Sequence, residues 1–403
     1  MPVGIDDIEL ARRRLTGIVK PTPLIPSATL SLIAGADIFI KPENLQKTGS
    51  FKIRGAANRI AALSAAEAAR GVIAASAGNH GQALASAAAR AGITATIVMP
   101  ATAAIAKVDA TRSYGPNVVL EGADYPAARA AAAEICQRTS AIFVDAYDDP
   151  FVIAGQGTVG LEIADEMAPD AVVVPVGGGG LLAGVALAIK ARLPSTRIIA
   201  VEAAGSPQLS LSLAAGAPAP IVTPVDTIAD GLATGRIGAL PFELIRSRID
   251  RVVTVDDSEI GEAVLLMLER MKLLAEGAGA AALAGALKIR RDLAGRRVVI
   301  CVSGGNIDVN LLDRIIGQGL SKAGRLMRVA VEMRDRPGEL GRLLATLAAA
   351  GANVRAIQHD RSRRDVPIGG ARVTIELETR GPEHIEQVRE RLASLGLKLN
   401  FES

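Results

Sequence analysis

Between residues 38 and 307, short apolar runs rich in Val and Ile alternate with longer alanine-rich stretches whose polar positions recur at helical spacing. The pattern predicts strands at 38–41, 72–76, 94–99, 117–121, 142–145, 172–176, 197–201, 252–255 and 297–302. Helical runs such as 81–91, 127–138, 181–193 and 258–274 fall between them. Runs without an internal polar position read as strands covered on both faces, so the fold class is α/β with mainly parallel sheets. Nine strands are many for one sheet, which predicts two subdomains. Near Ser321 and Gly324 the pattern changes to strand 326–332, helix 337–350, strands 353–359 and 371–377, helix 383–395 and strand 397–401. That βαββαβ order is the ferredoxin-like one and predicts a separate C-terminal domain.

Composition narrows the function. Of 403 residues, 49% are hydrophobic but only 2% aromatic, with no Trp, so no platform exists on which bases could stack. Forty-five basic residues against 42 acidic ones nearly balance, and no basic tract or helix face asks for nucleic acid. No apolar run reaches membrane-spanning length, and the opening "MPVGIDDIELARRRL" reads as an amphipathic helix, not a leader. Cys136 and Cys301 match no metal or redox spacing, which fits a reducing compartment; a cytoplasmic protein is expected.

In parallel α/β sheets, ligands bind beyond the carboxyl ends of strands, where helices begin. Four such turns are unusual. "NLQKTGSFKIRGA" offers Ser50 as a helix cap and sets Lys52 between Phe51 and Ile53. "ASAGNHGQ" follows a strand with small residues, an amide and a histidine. "VVVPVGGGGLLAGVA" passes from a buried strand through four glycines into a helix, and "VVICVSGGNID" ends a strand in Ser303. Glycines let backbone N–H groups converge on an anion at a helix start, so the run at Gly177, Gly178, Gly179 and Gly180 reads as a phosphate site. No Lys-Ser/Thr follows it, against a nucleoside triphosphate. A dinucleotide is a rival, because Glu202 ends the next strand where a ribose-binding acid would sit. A cofactor with a phosphate, an aldehyde and a pyridine ring accounts for all four turns. Lys52, near a helix's positive end and beside apolar neighbours, is the candidate amine for the aldehyde.

These stretches, with "TPLIPSATLS" and "KPENLQKTGSFKIRGA", occur in the order and spacing of the fold-type II pyridoxal-phosphate enzymes, the tryptophan synthase β-like fold. Within that group residues 5 to about 320 most resemble threonine dehydratase (threonine ammonia-lyase) and its relative serine racemase. The resemblance implies a catalytic domain over 1–322 with a small subdomain, about 53–150, inserted in the larger. It implies pyridoxal 5'-phosphate as cofactor, joined to Lys52, which is also the base at the substrate Cα. Phe51 lies beside it; Asn79 would hold the ring hydroxyl; Gly177, Gly178, Gly179, Gly180 and Leu181 the phosphate; Ser303 the ring nitrogen. Ser76, Ala77, Gly78 and His80 would surround the substrate carboxylate, although a packed histidine explains His80 equally well. Glu276, in "AEGAGA", matches a family motif near the cofactor.

A neutral Ser303 hydroxyl cannot keep a pyridine nitrogen protonated as an aspartate would, which favours loss of a β-substituent over transamination. Racemisation needs a second acid/base on the opposite face of Cα. Serine racemases carry a serine there, and this chain has Ala77. The racemases' metal site is not expected, since Gln208 stands where its aspartate would be. Residues 326–403 resemble an ACT domain through "DRPGELGRLL" and "GANVRAIQHDR", with loop 335–340 as the candidate amino-acid effector site, or a dimerisation module with no effector. The resulting expectation is β-elimination of L-threonine to 2-oxobutanoate and ammonia, and of L-serine to pyruvate, by a homo-dimer or homo-tetramer. The alternatives are a serine racemase or other fold-type II enzyme, an NAD-dependent dehydrogenase, and a non-catalytic amino-acid sensor.

Overall fold

Strands formed by apolar β-branched runs need cover on both faces, and helices supply it. The computed structural model describes residues 3–223, 225–362 and 365–402, and the chain divides between Asp308 and Val309 into two compact units. The first holds strands β1 (Ile25–Pro26), β2 (Asp37–Pro42), β3 (Val72–Ala75), β4 (Ala95–Met99), β5 (Asn117–Leu120), β6 (Ile142–Phe143), β7 (Ala171–Pro175), β8 (Arg197–Ala203), β9 (Arg251–Val255) and β10 (Arg297–Val302). All nine strands expected from the pattern are present, and β1 is an addition. It is a two-residue antiparallel pairing on β2, too short to leave a periodic trace.

The strands form two sheets, in the orders β1-β2-β10-β7-β8-β9 and β5-β4-β3-β6. Apart from β1, every pairing is parallel. The second sheet comes from chain between β2 and β7, so a smaller α/β layer interrupts the larger one in sequence. Every residue of β7 is buried. Two helices, Pro150–Glu166 and Gly180–Arg192, approach each other closely because their contact points are glycines. A Cβ on Gly184 would stand 2.5 Å from the Gly157 nitrogen, inside van der Waals contact.

Two sequence readings are corrected here. The helix expected over 258–274 runs only over Asp257–Leu266, continues as a π-helical turn at Met267–Met271, and ends at Lys272 in the left-handed region, φ 58°. Ser50 is not a helix cap. Phe51 occupies that position, while Ser50 forms a lone antiparallel bridge with Gly304 and its hydroxyl has no partner. Local capping rules cannot anticipate a pairing with a residue so distant in the chain.

In the second unit a helix, Val309–Lys322, precedes the βαββαβ run of β11 (Leu326–Arg334), Glu339–Ala349, β12 (Asn353–Asp360), β13 (Gly370–Glu378), Pro382–Ala393 and β14 (Lys398–Glu402). The antiparallel order is β12-β13-β11-β14. Val329, Val331, Val373, Ile375 and Leu377 meet Leu343, Leu347, Val388 and Leu392 from the two helices that follow β11 and β13. No helix among the described residues is long and apolar enough to cross a membrane.

Candidate active site

Four strand ends supply the site, and long-range hydrogen bonds join them. Lys52 opens the helix Lys52–Ala61, and its Nζ donates to the Ala146 carbonyl beyond β6 at 2.9 Å. Its ammonium also lies 5.2 Å from the Phe51 ring centre. Burial pulls this lysine down from the usual range to about 8, against the opposing pull of the Asp145 and Glu276 carboxylates. About one amine in ten is then neutral at pH 7, against roughly one in 2,500 for an unperturbed lysine. Asp145 keeps its charge despite burial. The N–H groups of Asp148 and Tyr147 and the Arg129 guanidinium, 2.8 Å away, hold its carboxyl below the ordinary range.

The glycine run lies between β7 and the helix Gly180–Arg192. Residues 177–180 are all buried, and Gly179 caps the helix at φ 95°, a conformation that favours glycine. Ala183 is the first residue whose N–H reaches back, to the Gly179 carbonyl at 2.8 Å, so the N–H groups of Gly180, Leu181 and Leu182 have no helical acceptor. The Tyr147 ring lies against the turn: a Cβ on Gly178 would fall 2.2 Å from its carbons. Loop 145–149 therefore touches both the amine, through Ala146, and the glycine turn, through Tyr147.

Beyond β3, Ser76 and Gly78 form a tight corner in which the Gly78 N–H donates to Ser76 Oγ at 3.2 Å. Ala77 is half-buried on the same corner. Asn79 begins the next helix. Its Nδ2 donates to Glu276 Oε1 at 2.7 Å, and its Oδ1 accepts from Asn306 Nδ2 at 2.8 Å, so both ends of the amide are oriented by the protein. Burial pushes the Glu276 carboxyl up to about 7, with the Asn79 bond opposing. His80 faces elsewhere. Its Nε2 meets the Val144 carbonyl at 3.0 Å, which assigns the proton to that nitrogen and leaves the buried Nδ1 without a partner. Burial, then the Lys52 charge, pull the ring down to about 4, so it is neutral at pH 7.

Ser303 closes the set from the end of β10. Its carbonyl accepts from the Phe51 N–H at 3.0 Å, and its hydroxyl donates to the Ala278 carbonyl at 3.3 Å, a long bond. The dinucleotide reading loses its residue. The Glu202 carboxylate is taken by the N–H groups of Leu209 and Ser210 and by the Ser210 hydroxyl, so it is not free for a ribose. Gln208 Nε2 donates to the Leu232 carbonyl at 3.0 Å.

Asp145, Ala146, Tyr147 and Asn306 join the site without being among the residues expected from the sequence, although "SGGN" contains Asn306 and "DAYDDP" follows a strand end like the other four turns. An amine with a depressed pKa, a nest of N–H groups closed to any side chain, an oriented amide and a hydroxyl form one connected set. Those are the donors that a phosphorylated pyridine aldehyde requires, so the residues fit pyridoxal phosphate. Glu276→Gln keeps an acceptor for Asn79 and removes a carboxylate that favours the Lys52 ammonium. At pH 7 the apoprotein should then take up pyridoxal phosphate about threefold faster, read from its visible band. An unchanged rate would detach Glu276 from the amine.

Comparison with known proteins agrees with this geometry. A family model described as pyridoxal-phosphate dependent enzyme matches residues 15–304, and an ACT domain model matches 327–397. An L-threonine ammonia-lyase of Thermotoga maritima is 47% identical over 401 residues, 99% of each chain. A solved maize serine racemase is similar at TM-score 0.74 and 36% identity, covering 80% of this chain and 99% of that one. A threonine deaminase isoform 2 from Solanum lycopersicum gives the same TM-score and identity over 79% and 95%.

Proposed function

The chain belongs to the pyridoxal-phosphate dependent enzymes and carries a C-terminal ACT domain, and from that premise we propose that it converts L-threonine to 2-oxobutanoate and ammonia, the water lost in β-elimination being returned when the product imine hydrolyses, with L-serine as a second substrate giving pyruvate. The observation that carries the reading is the buried Lys52 amine, which lies in one contact network with the glycine turn, Asn79 and Ser303.

Bound there, pyridoxal phosphate supplies an aldehyde and an electron-withdrawing ring that acidifies the Cα–H of an amino acid. The chain's residues do the rest. Lys52 would hold the cofactor through its amine and, freed from it, would accept the Cα proton. The N–H groups of residues 180–182 would bind the phosphate, and Asn79, oriented by Glu276 and Asn306, would have one amide hydrogen left for the ring hydroxyl. Ser303 would offer the ring nitrogen a hydroxyl without charge. The corner at Ser76, Ala77 and Gly78 binds the substrate carboxylate. His80, bonded to Val144, holds that corner to β6 and does not carry protons.

Serine racemase is the competing reading, and Ala77 separates the two, because a methyl group cannot return a proton to the second face of Cα. Incubation with L-threonine and L-serine should yield keto acids and negligible D-serine; D-serine as the main product would overturn the proposal. A protein that turns yellow with pyridoxal phosphate and forms no keto acid would instead be a sensor. Ala77→Ser should raise D-serine formation at least about tenfold, measured by chiral chromatography; no rise would remove this position from the discrimination.

The two units divide the work in this reading. The first performs the chemistry, and residues 335–340, the connection after β11 together with the first two residues of the helix Glu339–Ala349, take an amino-acid effector. An effector acts only by binding two states unequally, so turnover should change with added amino acids such as isoleucine. Two free cysteines support a reducing compartment such as the cytoplasm, where the chain works as a homo-dimer or homo-tetramer.

A further inference from the structure

We propose that Arg54 is the positioning residue of the Lys52 amine: its buried guanidinium fixes the first turn of the Lys52–Ala61 helix from behind. The inference rests on Lys52 being the amine that takes the cofactor. Residues two apart on a helix project about 200° from one another, so Arg54 points away from the side that carries Lys52. Its side chain has no exposure to solvent. Nε and Nη2 bind the two oxygens of Glu43, each at 2.7 Å. Nη1 and Nη2 bind the two oxygens of Glu162 at 2.6 and 2.9 Å, and Nη1 also reaches Thr158 Oγ1 at 3.1 Å.

The remaining cation nearby is engaged too. Lys41 Nζ donates to Glu162 at 2.7 Å and lies 3.9 Å from Glu166, so the two cations are fully paired with carboxylates. A buried charge cluster is a poor source of net stability, because desolvation offsets most of the attraction. A planar fork in two bidentate contacts fixes direction instead. It ties the helix to the end of β2, through Glu43, and to the helix Pro150–Glu166, through Glu162 and Thr158. That second helix also accepts the Gly55 N–H through Gln156 at 3.2 Å. The turn that aims the amine is thus held on its far side by residues that never reach the cleft.

What the amine meets on its near side is the Ala146 carbonyl and the Phe51 ring, with Asp145, Glu276 and His80 as the titratable groups facing it. A turn that rocks by a fraction of an ångström hydrates the amine and returns it toward an ordinary lysine.

The test is trace acetylation of the full-length apoprotein with acetic anhydride from pH 6 to 10, with labelling at Lys52 quantified by peptide mass spectrometry. The half-point of the unaltered chain is expected near pH 8. Arg54→Lys and Arg54→Met should both move it upward by about one unit, leaving about tenfold less neutral amine at pH 7. Arg54→Lys keeps the charge and loses the fork, so an unmoved half-point in that variant overturns the proposal in favour of charge alone. Variants that melt earlier with unmoved half-points overturn it in favour of a merely structural role. Should Arg54→Met fail to fold, Thr158→Val removes the hydroxyl's bonds to Arg54 and to the Gly155 carbonyl but no charge, and is expected to lower labelling at pH 7 about twofold; no change there counts against the proposal. A pyridoxal-phosphate adduct on some other lysine would sink the functional reading and leave this half-point as informative as before.

Discussion

Lys52→Ala is expected to form 2-oxobutanoate from L-threonine at less than about a thousandth of the unaltered rate, and to lose the visible absorption of the cofactor-loaded protein. Two roles vanish with one side chain: the covalent tie to the cofactor aldehyde and the base at Cα. Proton transfer alone accounts for roughly 10²–10⁴ in rate. Two of the titratable neighbours are not placed to replace it. His80 has its protonated nitrogen on Val144 and its free one buried, and the Asp145 carboxylate is bound to two N–H groups and Arg129. The substitution should fold normally, since the helix at its first residue loses only one bond, to the Ala146 carbonyl. Keto-acid release measured alongside thermal melting separates the two effects. Activity within tenfold of the unaltered chain would take Lys52 out of the mechanism.

Gly178→Ala has the second largest expected effect. The new methyl would fall 2.2 Å from the Tyr147 ring, where no real contact exists. The ring cannot simply turn aside, because the Tyr147 backbone is itself pressed against Gly180, whose own Cβ would stand 3.1 Å from the Tyr147 Cα. Either the turn shifts and its N–H groups lose their common focus, or loop 145–149 shifts and withdraws Ala146 from Lys52. Overpacking of this kind costs about 1–3 kcal/mol. The expected result is cofactor affinity lower by tenfold or more, measured by titrating the apoprotein with pyridoxal phosphate. Tyr147→Ala in the same chain should restore part of the loss by vacating the space. Undiminished affinity in Gly178→Ala would mean that the turn tolerates side chains and does not form the phosphate site.

The parts of the fold legible in the sequence are those with an unbroken local signature. β7 is buried along its whole length and reads as a covered strand; the glycine run after it has no purpose as a helix or a strand. β1 and the π-helical turn at Met267–Met271 are set by pairings and side-chain packing that leave no periodic trace. The site divides in the same way. Lys52, Asn79, the glycines and Ser303 sit at strand-to-helix turns and can be found by inspecting each one. Asn306 orients Asn79 from 227 positions away, and Arg54 is held by glutamates 11 and 108 positions away. Only the folded chain makes an arginine in "KIRGA" a buried charge rather than a solvated one.

The pH behaviour of the amine follows from the same packing. Burial favours the neutral form of Lys52, so the apoprotein takes up cofactor increasingly as pH rises through about 8, two units below where a solvated lysine would begin. Ionisation of Glu276 above about 7 works against this by favouring the ammonium.

The central claim is that the cofactor aldehyde is joined to one buried amine at the start of one helix. Borohydride reduction of the pyridoxal-phosphate-loaded protein, followed by digestion and peptide mass spectrometry, tests it most directly. The account predicts a single stoichiometric adduct on the peptide that contains Lys52. An adduct on Lys41, Lys47 or any other lysine, or a protein that reduction leaves unlabelled, would contradict it.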